Sequence, residues 1–518
     1  MDANTPICSP VSGKGTRLRL RWYDYLSINL FWLGLNIRNN AVGAIFMPYL
    51  VDAFARPEIK NTSLGLMRTA GLIIAMLVQP AAGLLSDRST LRFGRRRPYI
   101  LIGVLLDLVF LAAIGLSWNY WALLVAVLLL QFSSNISHGP LQGLIPDLVP
   151  EAQRGLASGV KAIMELLPLI LIAFTIAPLA GAGKINWAIF ATGGMLLITM
   201  LVTLFTVHER PLQVRPESQL GPPMLRVLGM LGGIGVGAAA GLAGGGLVGG
   251  LAGLIAWPFV GAAAAKATGV GLGGLVAMVV AVVVGVWAGV AGTLGRDDSR
   301  RHASFTWWVV NRLMFLAAVT SIQGFAPYFL MYAFAMTREA AAALTGNLML
   351  VVGIFTLLTA IPGGWLSDHF GHRMIVGLSG LLAALGAFLL LGTTWVPDLR
   401  LIYVAGSIIG LATGLFTTAN WALGTRLVPG PEAGRFLGIS NLAGAGAGMV
   451  GAGIGGPLAD YLNNYRAGLG YFAIFACYGV LFLLSSVTLV GVRRTRLQAE
   501  IGPAPAVPWQ DTGSRFAE

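Results

Sequence analysis

Long apolar stretches recur from Ser27 to Gly491, each ended by a short polar or arginine-rich segment. Each is long enough for a helix to cross a hydrocarbon core of about 30 Å. The pattern predicts helices at 27–50, 63–86, 99–117, 121–147, 156–182 and 186–207. A second set is predicted at 306–333, 341–366, 374–395, 400–425, 436–458 and 468–491. Arginines gather in alternate connections: Arg88, Arg92 and Arg95 to Arg97, then Arg154, Arg373, Arg426 and Arg435, and Arg493, Arg494 and Arg496. An excess of positive charge marks the cytoplasmic side of a membrane protein. Both termini are therefore expected in the cytoplasm, and the chain is expected to be a multi-pass protein of the plasma (inner) membrane. Residues 1–26 read as a basic cytoplasmic tail, and 493–518 as a second one. No cleavable leader is expected, because a long apolar run succeeds the basic start without an early small-residue cleavage site.

The two sets echo one another. Gly83-Leu-Leu-Ser-Asp87 returns as Gly364-Trp-Leu-Ser-Asp368, displaced by 281 residues. Leu148-Val-Pro returns as Leu427-Val-Pro, displaced by 279. Two landmarks repeating at nearly one spacing indicate a duplicated unit, a common construction of transporters. The halves are placed at 27–207 and 303–492.

Between them, within a linker at 208–302, lies an apolar segment, 224–294, that holds 20 glycines. Gly232, Gly233, Gly237, Gly241, Gly245 and Gly249 fall close to every fourth position, the spacing that lets membrane helices approach backbone to backbone. Basic residues flank it on both sides, so it should cross the membrane an even number of times. The expectation is an inserted two-helix hairpin near 226–258 and 268–294, and the alternative is a flexible glycine-rich linker.

Composition sharpens this picture. The chain has 518 residues, 56% hydrophobic and only 11% charged, where a soluble domain carries about 25% charged residues. The net charge of +13 tracks the loops, so it reads as topology and not as nucleic-acid binding. Cys8 and Cys477 offer neither a disulfide framework nor a metal site. No nucleophile motif, phosphate-cradling loop or metal-ligand cluster appears, so no enzyme activity, cofactor or metal is expected.

The loop after the second predicted helix reads Gly83-Leu-Leu-Ser-Asp87-Arg88-Ser-Thr-Leu-Arg92-Phe-Gly94-Arg95-Arg96-Arg97-Pro98. Asp87 at a helix end is suited to meet the positive N-terminus of another helix. The arginines are suited to pair with carboxylates, which makes the loop a candidate latch, with Gly364, Asp368 and Arg373 as its second copy. The alternative is a simple topology anchor. These elements resemble the loop motif of the major facilitator superfamily. In its longer form the loop is similar to that of the sucrose–proton symporters and their bacterial relatives, of the glycoside–pentoside–hexuronide:cation type. Gly139-Pro140-Leu-Gln142 through Asp147-Leu148 resembles a fourth-helix segment of those carriers, with Gln142 where they have Arg. The resemblance implies an all-α fold of two six-helix bundles related by a pseudo-twofold axis, with the first and fourth helices of each half lining a cavity.

Ionisable and amide groups inside spans are costly and therefore candidates for function. Arg38 sits roughly 17 Å into the first predicted helix, counted at 1.5 Å per residue, and Asn36, Asn39, Asn40 and Gly43 share one face there by helical spacing. Gln131, Asn135, His138 and Gln142 make one stripe in the fourth. Lys161 and Glu165 are spaced i, i+4 and can pair. Glu165 is the first choice of partner for Arg38 and Asp147 the second, while Asp107 has no assigned role. The second half contributes Gln323, Asn420 and Trp421, with Arg312 and Asn347.

The expected activity is proton-coupled secondary transport of a small polar solute, a sugar or glycoside. Export of a lipophilic or amphipathic compound is a second reading. A non-transporting assembly or pigment-delivery factor on the same fold is a third. The partners expected are the solute, protons and the bilayer, with a monomer favoured.

Overall fold

The computed structural model describes residues 20–150, 153–207, 209, 221–428 and 433–492. All regular structure among them is helical. Fourteen long helices organise it. The first, α1, covers 22–54: Trp22–Ala41, a π turn at Val42–Phe46, and Met47–Phe54. The first half continues with α2 (Lys60–Ser86), α3 (Arg97–Gly115), α4 (Tyr120–Leu141), α5 (Arg154–Gly181) and α6 (Ile185–Thr206). Two inserted helices come next, α7 (Gly221–Val260) and α8 (Ala262–Leu294). The second half holds α9 (Ala303–Ala333), α10 (Arg338–Phe370), α11 (His372–Gly392), α12 (Leu399–Leu427), α13 (Ala433–Tyr465) and α14 (Leu469–Thr488).

Twelve of the fourteen are long and apolar enough to cross a membrane; α1 and α13 stand outside that set. Amides and charges dilute α1, among them Asn36, Arg38, Asn39, Asn40 and Asp52.

The halves meet through two reciprocal pairings, α2 with α13 and α5 with α10. In each, the second helix of one half packs on the fifth helix of the other, as an approximate twofold relation requires. The closest approaches use small residues. A Cβ on Gly65 would lie 2.3 Å from the Ala452 carbonyl, and one on Gly346 would lie 2.1 Å from the Ala177 side chain. Gly456 faces Asn61 and Gly181 faces Ala343 in the same way. All four contacts lie in the half of the membrane away from the arginine-rich loops. The molecule is thus closed on that far face.

The inserted helices turn back at Gly261, where φ is +81°. Gly233, Gly237, Gly241, Gly245 and Gly249 face α8, each so close that a Cβ would sit 2.2–2.5 Å from its backbone. Gly232 points away from this seam, with nothing within 4 Å of a Cβ. The pair docks against α13, α9 and α2, outside the central bundle.

Candidate functional site

The broken first helix organises the centre of the molecule. Met47 donates its amide to the Val42 carbonyl across the π turn. The next bond in that register would come from residue 48, which is proline and has no N–H. The Gly43 carbonyl is left for a side chain, and the Arg68 Nη2 on α2 donates to it. A π turn inserts one residue, which rotates the remainder of the helix by about 100°, and sets Gly43 and Met47 on the same wall as Arg38 and Asn39.

That wall belongs to a cavity of about 420 Å³ between α1, α2, α4, α9 and α13. Arg38, Asn39, Asn40, Gln131, Asn135 and His138 line it from the first half, with Arg68 and Gln79 on α2, and Gln323 faces it from α9. Gln142 lies outside: α4 ends at Leu141, just after Pro140, and Gln142 is exposed. Asn420 and Trp421 are likewise outside the cavity lining. Asn420 is buried within the second half, donating to Asn311 Oδ1 at 2.8 Å and accepting from Trp308 Nε1 and Arg312 Nη1. Trp421 packs under the Arg312 guanidinium, 5.5 Å from its ring centre. Asn347 is exposed on α10.

Arg38 does not meet either carboxylate expected for it. Its Nη2 lies 3.3 Å from Asp107 Oδ2 on α3, and the two side chains are 1% and 0% exposed. Ser134 accepts a hydrogen bond from the same nitrogen, and Ser133 donates to the other Asp107 oxygen. The pair forms because α3 and α4 pack unusually closely. A Cβ on Gly103 would lie 2.7 Å from the Ser137 amide, and one turn on along α3 and one turn back along α4 Asp107 meets Ser133. Glu165 instead pairs with Lys161 at 3.2 Å, with a third of each side chain exposed. Lys161 also stands 4.1 Å from the Trp32 ring centre, whose other neighbour is the His138 ring at 5.3 Å.

Asp147 is occupied elsewhere. It lies on the short helix Leu144–Leu148 and is held by Arg95 and Arg96. Arg96, only 7% exposed, also donates to Asp87 at 2.8 Å and to the Pro140 carbonyl at 3.2 Å. The carboxylate at the N-terminus of α3 is not Asp87 but Glu209, which accepts from the backbone amide of Arg96 at 2.8 Å. Gly94, at φ +107°, brings the loop within reach, for a Cβ there would lie 2.7 Å from Glu209 Oε2. Arg97 donates to the Leu204 carbonyl. The loop therefore ties α2, α3, α4 and α6 together within one half. Arg92 is exposed beside it. The second copy is simpler: Asp368 lies 3.9 Å from His372, Arg373 is exposed and Gly364 is half-buried.

Asp107 and Arg68 are the two ionisable residues of this site to which the sequence alone assigns no role. A lone acid in an otherwise apolar span is the available signal for Asp107; nothing local points Arg68 inward.

A profile described as Major Facilitator Superfamily matches residues 312–515, and one described as MFS/sugar transport protein matches 31–235. The chain is similar to sucrose transport protein SUT1 of Oryza sativa, 36% identical over 116 residues, covering 18% of this chain and 22% of that one. It is also similar to proton-associated sugar transporter A of Homo sapiens, 31% identical over 182 residues, covering 28% of this chain and 22% of that one. Both matches thus span about a fifth of the relative's length. A crystal structure of a D-xylose–proton symporter superposes with a TM-score of 0.61 at 15% identity, covering 90% of this chain and 97% of the other. At that identity the likeness speaks for the fold alone.

Proposed function

This chain belongs to the major facilitator superfamily, a family of transporters and not of enzymes, and on that premise we propose that it carries a sugar or glycoside together with protons by alternating access. The observation that carries the reading is the buried Arg38–Asp107 pair in the wall of the polar cavity. A sugar needs several amide and hydroxyl partners on an otherwise apolar surface, and Asn39, Asn40, Gln131, Asn135 and Gln323 provide them. The proton site is Asp107. Protonation removes the counter-charge of Arg38 and frees its guanidinium to turn toward the solute, which links the two gradients. The groups that face this pair are Ser133, Ser134 and His138 on α4, with Lys161 on α5 beyond Trp32.

The halves at 27–207 and 303–492 rock about the α2–α13 and α5–α10 contacts. On this reading the arginine-rich face is cytoplasmic by charge, both termini belong to that side, the membrane is the plasma (inner) membrane, and the cavity alternates between that face and the other. Residues 1–19 and 493–518 lie outside the described residues.

The test is uptake of labelled sucrose, maltose and hexoses into proteoliposomes under an imposed proton gradient. Accumulation that collapses on adding an uncoupler is expected. Failure of every sugar to accumulate, with the protein correctly inserted, sinks the proposal.

A further inference from the structure

We propose that the crevice between the inserted helices and α13 binds one anionic phospholipid, with an acyl chain lying in the crevice and the headgroup resting on Lys266. The crevice shares no lining residue with the polar cavity, so the solute carried there does not bear on it.

The inserted helices dock on α13 incompletely. α8 reaches it where Gly274 faces Leu458, for a Cβ on Gly274 would lie 2.8 Å from that side chain. Gly246 and Gly250 of α7 have nothing within 4 Å of a Cβ. They line a cavity of about 840 Å³ together with Leu254, Gly273 and Pro457. Leu254 is exposed at its edge, so the space opens sideways into the bilayer. Protein interiors keep few voids larger than a water molecule, and an apolar space of this size facing lipid takes up hydrocarbon.

Its shape selects a chain. From Leu242 to Trp257 the lining follows α7 for about 22 Å at 1.5 Å per residue, comparable with one leaflet of a hydrocarbon core about 30 Å thick. The mean cross-section of the cavity is then about 40 Å², and a helix 10–12 Å across with its side chains needs roughly twice that. A polar solute is poorly matched, because Lys266 is the single charged side chain in the lining.

The far end of the crevice lies at headgroup depth. Trp257 stands one turn before the bend at Gly261, and Lys266 one to two turns after it. Tyr461 follows Asp460, which accepts from Asn61 at the start of α2 on the closed far face. All three line the crevice and are exposed. Tryptophan and tyrosine mark the membrane interface, and a lysine there lays its stem on apolar surface and lifts its ammonium among the headgroups. No carboxylate among the described residues lies within ion-pair distance of Lys266. An ammonium without an acid beside it selects a headgroup of net negative charge, whereas a choline headgroup would bring a second cation to the same place. One such charge is worth about fivefold in affinity.

The test uses the full-length protein in proteoliposomes that contain phosphatidylglycerol or phosphatidylcholine with a photoactivatable diazirine in one acyl chain. Labelled peptides are mapped after illumination. Label from phosphatidylglycerol is expected on 242–257, 262–277 and 453–461 at about five times the yield from phosphatidylcholine. The outer faces of α3 and α6, at Val109 and Phe205, should take both lipids alike. Lys266→Gln should equalise the two lipids in the crevice, and Lys266→Arg should keep the preference. Gly250→Phe, aimed into open space, should lower crevice labelling at least fivefold while leaving Val109 and Phe205 labelled and the lipid-free melting temperature unchanged. The wild-type comparison needs no variant, so a folding defect in any of them does not block it. Equal crevice labelling by the two lipids in the wild type, labelling no stronger than at Val109 and Phe205, or an unchanged preference in Lys266→Gln overturns the proposal. A dimer in native mass spectrometry that Gly250→Phe dissociates, with the crevice unlabelled, would assign the space to a second copy of the chain and overturn it too.

Discussion

Asp460, near the end of α13, accepts three hydrogen bonds from the first turn of α2: from the Asn61 amide at 3.2 Å, from Asn61 Nδ2 at 2.7 Å and from the Thr62 amide at 2.6 Å. A carboxylate of one half thereby caps a helix of the other, on the face away from the arginines. The matching corner holds Tyr49 of α1, whose hydroxyl donates to Glu339 of α10 at 2.9 Å. Together these contacts hold the far face shut.

Asp460→Ala should release that face. Hydrogen bonds to a charged group are worth roughly 1.5–3 kcal/mol, so the closed-to-open ratio should fall about ten- to a hundredfold. Labelling of a cysteine placed at Met67 from the far side reports it. Unchanged labelling would mean that apolar packing at Gly65 and Gly456 suffices to keep the face closed.

Arg38→Gln leaves Asp107 buried without its counter-charge, and breaking such a pair costs about 3–5 kcal/mol. A lower melting temperature is expected, with loss of both accumulation and exchange. Asp107→Asn should lose gradient-driven accumulation while keeping exchange, and its exchange rate should no longer vary with pH. Retention of proton-driven accumulation by Asp107→Asn would remove Asp107 from the coupling role.

Within the arginine loop, Arg96→Lys should lower transport nearly as much as Arg96→Ala, by tenfold or more at normal expression. A point charge cannot reach Asp87, Asp147 and the Pro140 carbonyl together as the planar fork does. Gly94→Ala should cost stability by at least about 1 kcal/mol, from its positive φ and from contact with Glu209. Normal transport in both Arg96 variants would reduce the loop to a topology signal.

For the inserted helices, Gly237→Leu and Gly245→Leu should lower the melting temperature, since a Cβ at either would lie 2.4–2.5 Å from the facing backbone. Gly235→Leu and Gly246→Leu, with nothing within 4 Å, should not. Equal tolerance of all four would mean that the α7–α8 seam contributes nothing to stability.

Much of this architecture was legible in one dimension. Span length, the alternation of arginines and two landmarks at nearly one offset are properties of the chain itself, because the bilayer imposes them on every helix separately. The polar residues of α1 and α4 were legible for the same reason: an amide or a cation in a span is conspicuous wherever the helix sits.

Which of those groups meet is another matter, and only the tertiary structure decided it. Arg38 pairs with Asp107 because Gly103 lets α3 sink against Ser137, a fact about two helices and not about either alone. Glu165 lay in an equally apolar stretch, yet it stays with Lys161 of its own helix, a third exposed, and does not meet Arg38. Pro140 and Gly143 break α4, so Asp147 turns away to Arg95 and Arg96 and Gln142 leaves the stripe. The π turn at Val42–Phe46 re-aims the end of α1 and gives Arg68 its carbonyl, and Gly324 makes room for that guanidinium from the other half. Hydrophobicity and charge set which segments cross the membrane; rotation, close approach and breaks in the helices set which groups face one another, because those depend on neighbours far away in the chain.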